Sequence, residues 1–303
     1  MANTTFSGPV RSENNVQLIS KTAATGTVHD RTQCFGIHDA RRKYLFEGFY
    51  QRPGLNAINI IDPDANDAAA LAVTQAANKN FETLGTNYTT ALTTFSATQA
   101  GITMTTATAD QDQAILLPHL DTNQTSWSGT KWGTENQVEW ECSISLPALD
   151  NQKVWAGLKL TNDQLVATDA NQMFFKYQSD ATNSEAFTTF ANWHFVYSIG
   201  GTDYISRLPI AVAADTQYHF KIEVDSDRKA TIYVNGIQYN VTTTAGSTGG
   251  TAVTAVQPSK AATKTDALTD NVDLIPYIGI ENGAAAAEVL NVHYQSISRH
   301  VFE

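Results

Sequence analysis

The sequence predicts an all-β chain: a two-sheet antiparallel jelly roll preceded by an extended N-terminal arm and one short α-helix. Two observations predict it. From Tyr218 to Val241 three alternating apolar and polar stretches are joined by tight turns, and at least ten short strands of this kind recur over the 303 residues with no βαβ rhythm.

In the first strand of that stretch Tyr218, Phe220, Ile222 and Val224 alternate with His219, Lys221 and Glu223, the period of a strand with one buried face. The run Asp225–Lys229 reverses the chain, and Ala230, Ile232 and Val234 form the apolar side of the next strand. Asn235-Gly236 then marks a type I′ hairpin, which needs positive φ at both central residues. Ile237, Tyr239 and Val241 follow. A meander with one apolar face needs a second sheet to cover it.

The N-terminus, residues 1–61, is rich in Thr, Ser, Asn and Gly and has little periodicity, so it reads as an extended arm that orders against a partner or stays loose. Within it, Arg41-Arg42-Lys43 is the basic cluster, and Tyr44, Phe46, Phe49 and Tyr50 crowd together just after it. Four aromatics either pack onto the sandwich or anchor the arm to a neighbour; packing at home is favoured. Residues 62–85 read as a helix, with Asp62 as N-cap, Pro63 at the first helical position and Gly85 as the stop. The same segment fails as an EF-hand, because the sixth and twelfth places hold Asp67 and Val73 instead of Gly and Glu.

Residues 86–303 carry the sandwich. Ala114–Leu117, Gln137–Leu146, Val154–Leu160, Met173–Tyr177, Trp193–Ile199 and Tyr204–Leu208 supply strands before the meander, and Tyr277–Ile280 and Val289–Ile297 after it. The Gly/Thr/Ala-rich stretch 245–273 between them reads as an exposed loop.

Composition narrows function. Charged residues make up 16% of the chain, against roughly 25% for most soluble proteins. The net charge of −11 repels a phosphate backbone, so nucleic acid is excluded as a partner. No apolar run approaches a membrane span, and MANTTFSGPVRSENN has neither the basic nor the apolar region of a signal peptide. The two cysteines, Cys34 and Cys142, are too few and too far apart for a disulfide scaffold, and Cys142 shares its strand face with Trp140 and Ile144, as a buried thiol would.

For catalysis on a β-sandwich, carboxylates must alternate along one strand so that two of them flank a scissile bond. Glu139 and Glu141 alternate, but the third place is Ser143, and both acids read as solvent-facing. There is no Gly-x-Ser-x-Gly elbow, and His119 and His194 read as structural. No enzyme is expected. Candidate glycan contacts are Trp127 and Trp132, in a Gly/Ser/Thr loop, and Trp193, although Trp193 shares a face with Phe195 and Tyr197 as a core residue would. No motif supports a cofactor or a metal; a calcium site built from backbone carbonyls would leave no trace in sequence.

The pattern formed by Tyr218, Phe220, Ile222, Asp225, Arg228, Ala230, Tyr233, Val234, Asn235 and Gly236 resembles the concanavalin A-like (laminin G-like) jelly rolls of lectins, some glycoside hydrolases and phage structural proteins. TTATADQDQAILLPHLDTNQTSW, VWAGLKLTND and IPYIGIENG are similar to other strands of such phage domains, so this likeness spans about residues 95–303. The opening MANTTFSGPVRS resembles virion structural proteins of tailed phages, marine ones in particular. The resemblance implies a capsid decoration protein, made in the host cytoplasm and carried on the outer capsid surface; the alternatives are a glycan-binding adhesion module of a head fibre or tail and, less favoured, a polysaccharide-degrading enzyme. Its expected partners are the major capsid protein and itself, as dimer or trimer, with host-surface glycan as an alternative. Arg11, Arg31, Arg41, Arg42, Lys43, Tyr44 and Phe46 would form the capsid anchor.

Overall fold

The computed structural model describes residues 19–21, 28–30, 42–55, 81–96, 100–118, 132–161, 163–179, 187, 190–246, 249–264 and 266–300. In the N-terminal third the strands are β1 (Ile19–Lys21), β2 (Val28–Asp30), β3 (Arg42–Glu47), β4 (Gly54–Leu55), β5 (Glu82–Leu84), β6 (Thr93–Phe95) and β7 (Ile102–Thr105). Next come β8 (Gln113–Leu117), β9 (Glu139–Ser145), β10 (Gln152–Lys159), β11 (Gln172–Gln178), β12 (Asn192–Ile199) and β13 (Thr202–Ala211). The remainder are β14 (Gln217–Val224), β15 (Ala230–Val234), β16 (Ile237–Tyr239), β17 (Thr251–Ala252), β18 (Ile275–Asn282) and β19 (Val289–His300).

They form two sheets. The first runs β1-β2-β16-β15-β14-β9-β19-β7-β6, with β3 also on β19; the second runs β17-β13-β12-β11-β10-β18-β8-β5-β4. Among the described residues pairing is antiparallel apart from two short parallel contacts, β4 with β5 and β13 with β17. The result is a two-sheet β-sandwich, predominantly antiparallel. The predicted hairpin stands: Asn235 and Gly236 take φ of 51° and 76°, the positive values a type I′ turn demands.

Alternation decides which residues meet between the layers. Trp140, Cys142 and Ile144 of β9 and Phe220 and Ile222 of β14 point inward from the first sheet. Val154, Ala156 and Leu158 of β10, Phe175 of β11 and Trp193 and Phe195 of β12 meet them from the second. Each large apolar side chain buried this way contributes about 1.5–3 kcal/mol. Cys142 is a free, fully buried thiol, and burial together with the neighbouring Glu141 carboxylate pushes its pKa well up.

Three expectations change. Residues 42–47, assigned to the arm, form β3 and pair with the second half of β19 from Gln295 to His300. Of the four aromatics there, Phe49 is buried, 6.3 Å from Phe81, and Tyr44 is half-buried, while Phe46 and Tyr50 are exposed. The expected helix lies outside the described residues as far as residue 80, but its last turn is strand β5. Gly85 serves close approach instead of capping: a Cβ there would lie 1.9 Å from the carbonyl oxygen of Gln113.

The stretch 245–273 is not a free loop. It contains β17, its Ala255 bridges Tyr239, and it buries Val256 and Leu268. Leu268 N–H donates to the carbonyl of Arg228, and Val241 N–H to that of Thr263. Buried backbone groups need such partners, and here the meander supplies them.

One glycine sets the packing beyond the core. Gly279 of β18 faces Trp155 of β10 across the ladder, and a Cβ at 279 would lie 2.2 Å from the indole ring. Because Trp155 is fully buried, the ring has nowhere to go. Gly279→Ala is expected to lower unfolding free energy by about 1–3 kcal/mol, read from the midpoint of a urea titration.

Candidate functional site

The strand with alternating carboxylates is β9, whose Glu139, Glu141, Ser143 and Ser145 line the outer face of the first sheet. Their cross-strand neighbours are Glu223, Lys221, His219 and Gln217 on β14, and Ser298, Ser296, Tyr294 and Asn291 on β19. β3 then brings Arg42 over the end of this row. Its Nη1 lies 3.3 Å from Oε1 of Glu139, Nη2 donates to Oγ of Ser298 at 2.9 Å, and Nη2 also donates to the carbonyl of Gln137 at 2.8 Å. The arginine side chain is 6% exposed, so these contacts engage it fully.

Glu141 does not face solvent as its place in the alternation predicted; it is fully buried, with Nε2 of His219 3.8 Å from its Oε2. Lys221, its neighbour on β14, is also buried and pairs with Glu223 at 2.6 Å, while Glu223 accepts from the Tyr233 hydroxyl at 3.1 Å. At the third place Ser143 accepts from Nε2 of Gln217 at 2.7 Å. A general acid and a nucleophile would need two carboxylates open to a substrate. Here one is held by Arg42, one is enclosed, and the third position has a hydroxyl.

Among the described residues of the expected anchor, Lys43 lies on the opposite side of β3 from Arg42, Tyr44 and Phe46. Arg42 is turned into the structure, Phe46 is 39% exposed, and Tyr44 is half-buried on the same face as Phe46. Lys43 is exposed, while Arg11, Arg31 and Arg41 lie outside the described residues. Two of the expected glycan contacts are closed to ligand. Trp132 is buried where Leu274 N–H donates to its carbonyl, and Trp193 is core, its ring 5.4 Å from Tyr218 and 4.8 Å from Phe220 in edge-to-face contact. Trp127 lies outside the described residues.

The outer face of the second sheet holds a cluster that sequence reasoning missed. Across the strands run Gln113, Glu281, Lys153 and Gln178 in one row, and Ile115, Gly279, Trp155, Lys176, His194 and Arg207 in the next. Lys153 pairs with Glu281 at 2.5 Å, and Glu281 also accepts from Gln113. Lys159 lies 3.3 Å from Asp169, and Lys176 donates at 2.8 Å to the carbonyl and side-chain oxygens of Gln164. All three lysines are buried, and burial lowers the pKa of Lys159 and Lys176. The signal was present as Lys153-x-Trp155-x-Gly157-x-Lys159, a strand whose outward positions carry charge and a large ring. Among the described residues no group of three His, Cys, Asp or Glu could hold a metal ion, and no helix is long and apolar enough to cross a membrane.

No family model matches the chain, and no curated protein matches it. Solved structures do. Peanut lectin aligns with a TM-score of 0.46 at 8% identity, covering 86% of this chain and 99% of its own. A protein of unknown function from Shewanella oneidensis aligns at 0.45 and 10% identity, covering 86% and 87%. Alginate lyase A1-II', of polysaccharide lyase family 7, aligns at 0.43 and 12%, covering 71% and 86%. Such distant likenesses concern the arrangement of strands alone, and function has to come from the residues.

Two outcomes follow from these contacts. Glu139→Gln, which leaves the nearly buried Arg42 without its counter-charge, is expected to cost about 2 kcal/mol, measured by chemical denaturation at neutral pH. His194 is 2% exposed, and burial, offset in part by the backbone at Asn192 and Gly249, lowers its pKa from 6.5 to about 4. Its folded-state pKa is below the unfolded one, so protons favour unfolding: the contribution is whole above pH 6.5 and is lost as pH falls towards 4. Between those limits wild type should lose about 3 kcal/mol more than His194→Gln does, seen in paired urea titrations.

Proposed function

We propose that this chain is a structural protein of a tailed-phage particle, adherent and without catalytic turnover, which decorates the outer surface of the capsid. The observation that carries the adherent part is the Arg42–Glu139 ion pair. It gives Glu139 of β9 a cationic partner and joins that strand to β3 of the N-terminal segment. The assignment to a particle is supported by the resemblance of MANTTFSGPVRS to virion proteins and by the jelly roll, an architecture that serves many functions.

On this reading the residues before Arg42 reach the major capsid protein, and the sandwich sits outward with its net charge of −11 towards solvent and away from packaged DNA. Self-association as dimer or trimer would raise avidity for a shell of repeated subunits. Synthesis is in the host cytoplasm and residence is on the virion.

Because β3 is joined to β19 by six residue pairs, whereas β1 and β2 form the outer edge of the first sheet and meet β16 at the single pair His29–Ile237, a deletion that tests the anchor has to end at residue 41. The truncated protein is expected to keep the far-ultraviolet spectrum and cooperative melting of the sandwich, yet to be missing from particles purified after co-incubation. Normal incorporation of the truncated protein would show that the anchor lies elsewhere.

A further inference from the structure

One of the buried lysines of the second sheet is set against an amide. Lys159 ends β10 and Gln172 opens β11, one step beyond the pair Leu158–Met173, so the two are cross-strand neighbours on the outer face. Both are 0% exposed. Nζ of Lys159 lies 2.5 Å from Oε1 of Gln172, which puts it no more than about 3.7 Å from the amide carbon, given a C=O bond of about 1.23 Å. Atoms poised to react stand about 3–3.5 Å apart, and rotation about the last bonds of the lysine covers the difference.

The amide has a fixed orientation. Its Nε2 donates to the carbonyl of Val166 at 2.6 Å and to Oγ of Ser198 at 2.9 Å, and Ser198 donates to Oδ1 of Asp203 at 2.6 Å. A carbonyl only accepts, so the nitrogen of Gln172 has to face Val166 and its oxygen has to face Lys159. Asp169, itself buried, completes the group. Its Oδ2 is 3.3 Å from Nζ and accepts from the N–H groups of Leu160 and Thr161 at 3.1 Å each, while Oδ1 accepts from the Thr161 hydroxyl at 2.8 Å. The Phe174 ring, its centroid 4.2 Å from Nζ, covers the amine on another side. Burial lowers the pKa of Lys159 and outweighs the opposing pull of Asp169, which brings the nucleophilic free amine within easier reach than at a surface lysine.

We infer that Lys159 and Gln172 condense into an intramolecular isopeptide bond, with Asp169 carrying the protons. Asp169 takes one proton from the Nζ ammonium, and the freed lone pair attacks Cδ of Gln172 as the carbonyl π pair moves onto Oε1. In the adduct both nitrogens sit on one carbon, within reach of the same carboxyl. Asp169 gives its proton to Nε2 and takes a second from Nζ. The carbonyl re-forms, the Cδ–Nε2 bond breaks, and ammonia leaves with the bonding pair and collects that second proton as ammonium. Nothing is oxidised or reduced. A neutral amide then replaces a buried ammonium, the group whose desolvation is most costly here. The new rung ties β10 to β11 and, through β11, fastens β12, β13 and β17 to the rest of their sheet. It does not rest on the virion assignment, so either can fail alone.

Intact-mass spectrometry of the full chain tests it, after overnight incubation at neutral pH. Wild type is expected about 17 Da below the mass of its sequence, one ammonia per chain. Trypsin should leave residues 154–176 as one peptide that carries the whole deficit, because a lysine acylated at Nζ is not cut. A succinimide at Asn235-Gly236 or Asn282-Gly283 loses the same mass, but it lies outside that peptide and leaves cleavage after Lys159 intact. Lys159→Arg and Asp169→Asn are expected at full sequence mass, and Asp169→Glu, which keeps the carboxyl, is expected to lose ammonia. Wild type at full mass overturns the proposal whatever the variants do. So does a deficit mapped to any other pair, such as Lys176 with Gln164, another buried lysine–amide contact. An ammonia deficit in Asp169→Asn overturns the proton relay.

Discussion

The two sheets are held face to face by an aromatic seam, and the rest of the molecule depends on it. Phe175 of the second sheet stacks on Phe220 of the first at 4.4 Å, while Trp193 meets Phe220 at 4.8 Å and Tyr218 at 5.4 Å, edge to face in both cases. Such pairs contribute about 0.5–1.5 kcal/mol beyond the area they hide, and they set the separation of the layers. With that separation in place, one face of each sheet is committed to the interior. All recognition is left to the outer faces and the edges.

The two outer faces are used differently. On the second sheet Lys153, Lys159 and Lys176 are buried and held by Glu281, Asp169 and Gln164, with the Trp155 ring packed among them. Buried charges in such a network add little net stability but are costly to separate, so this face is a rigid second layer of packing. On the first sheet, Arg42 closes one end of the polar row and Tyr50 stands in water at the other. That contrast makes the first sheet the one to examine for partners.

Much of the architecture was legible because alternation is a local property. The strands predicted at 137–146, 154–160, 173–177 and 193–199 appear within a few residues of those bounds, and the Asn235-Gly236 turn appears where its chemistry requires. What could not be read depends on distant partners. Arg42–Glu47 has the composition of a tail, and only the presence of β19 makes it a strand. The Gly/Thr/Ala stretch gives no period, so the pairing of Thr251 and Ala252 with Ser206 and Arg207 leaves no local sign. Glu141 was misplaced for a related reason: alternation tells which face a side chain occupies and is silent on whether that face is covered.

Strand β9 sits between β14 and β19, and β19 in turn bears β3 and β7. A nascent chain that has emerged only as far as residue 240 thus has β9 paired along one edge, with β3 and β7 lacking the strand they dock on. The first sheet closes only after Val289–His300 has left the ribosome. Folding is accordingly late and dominated by long-range pairing, the regime in which sandwiches form slowly and unpaired edges stay open to neighbouring chains.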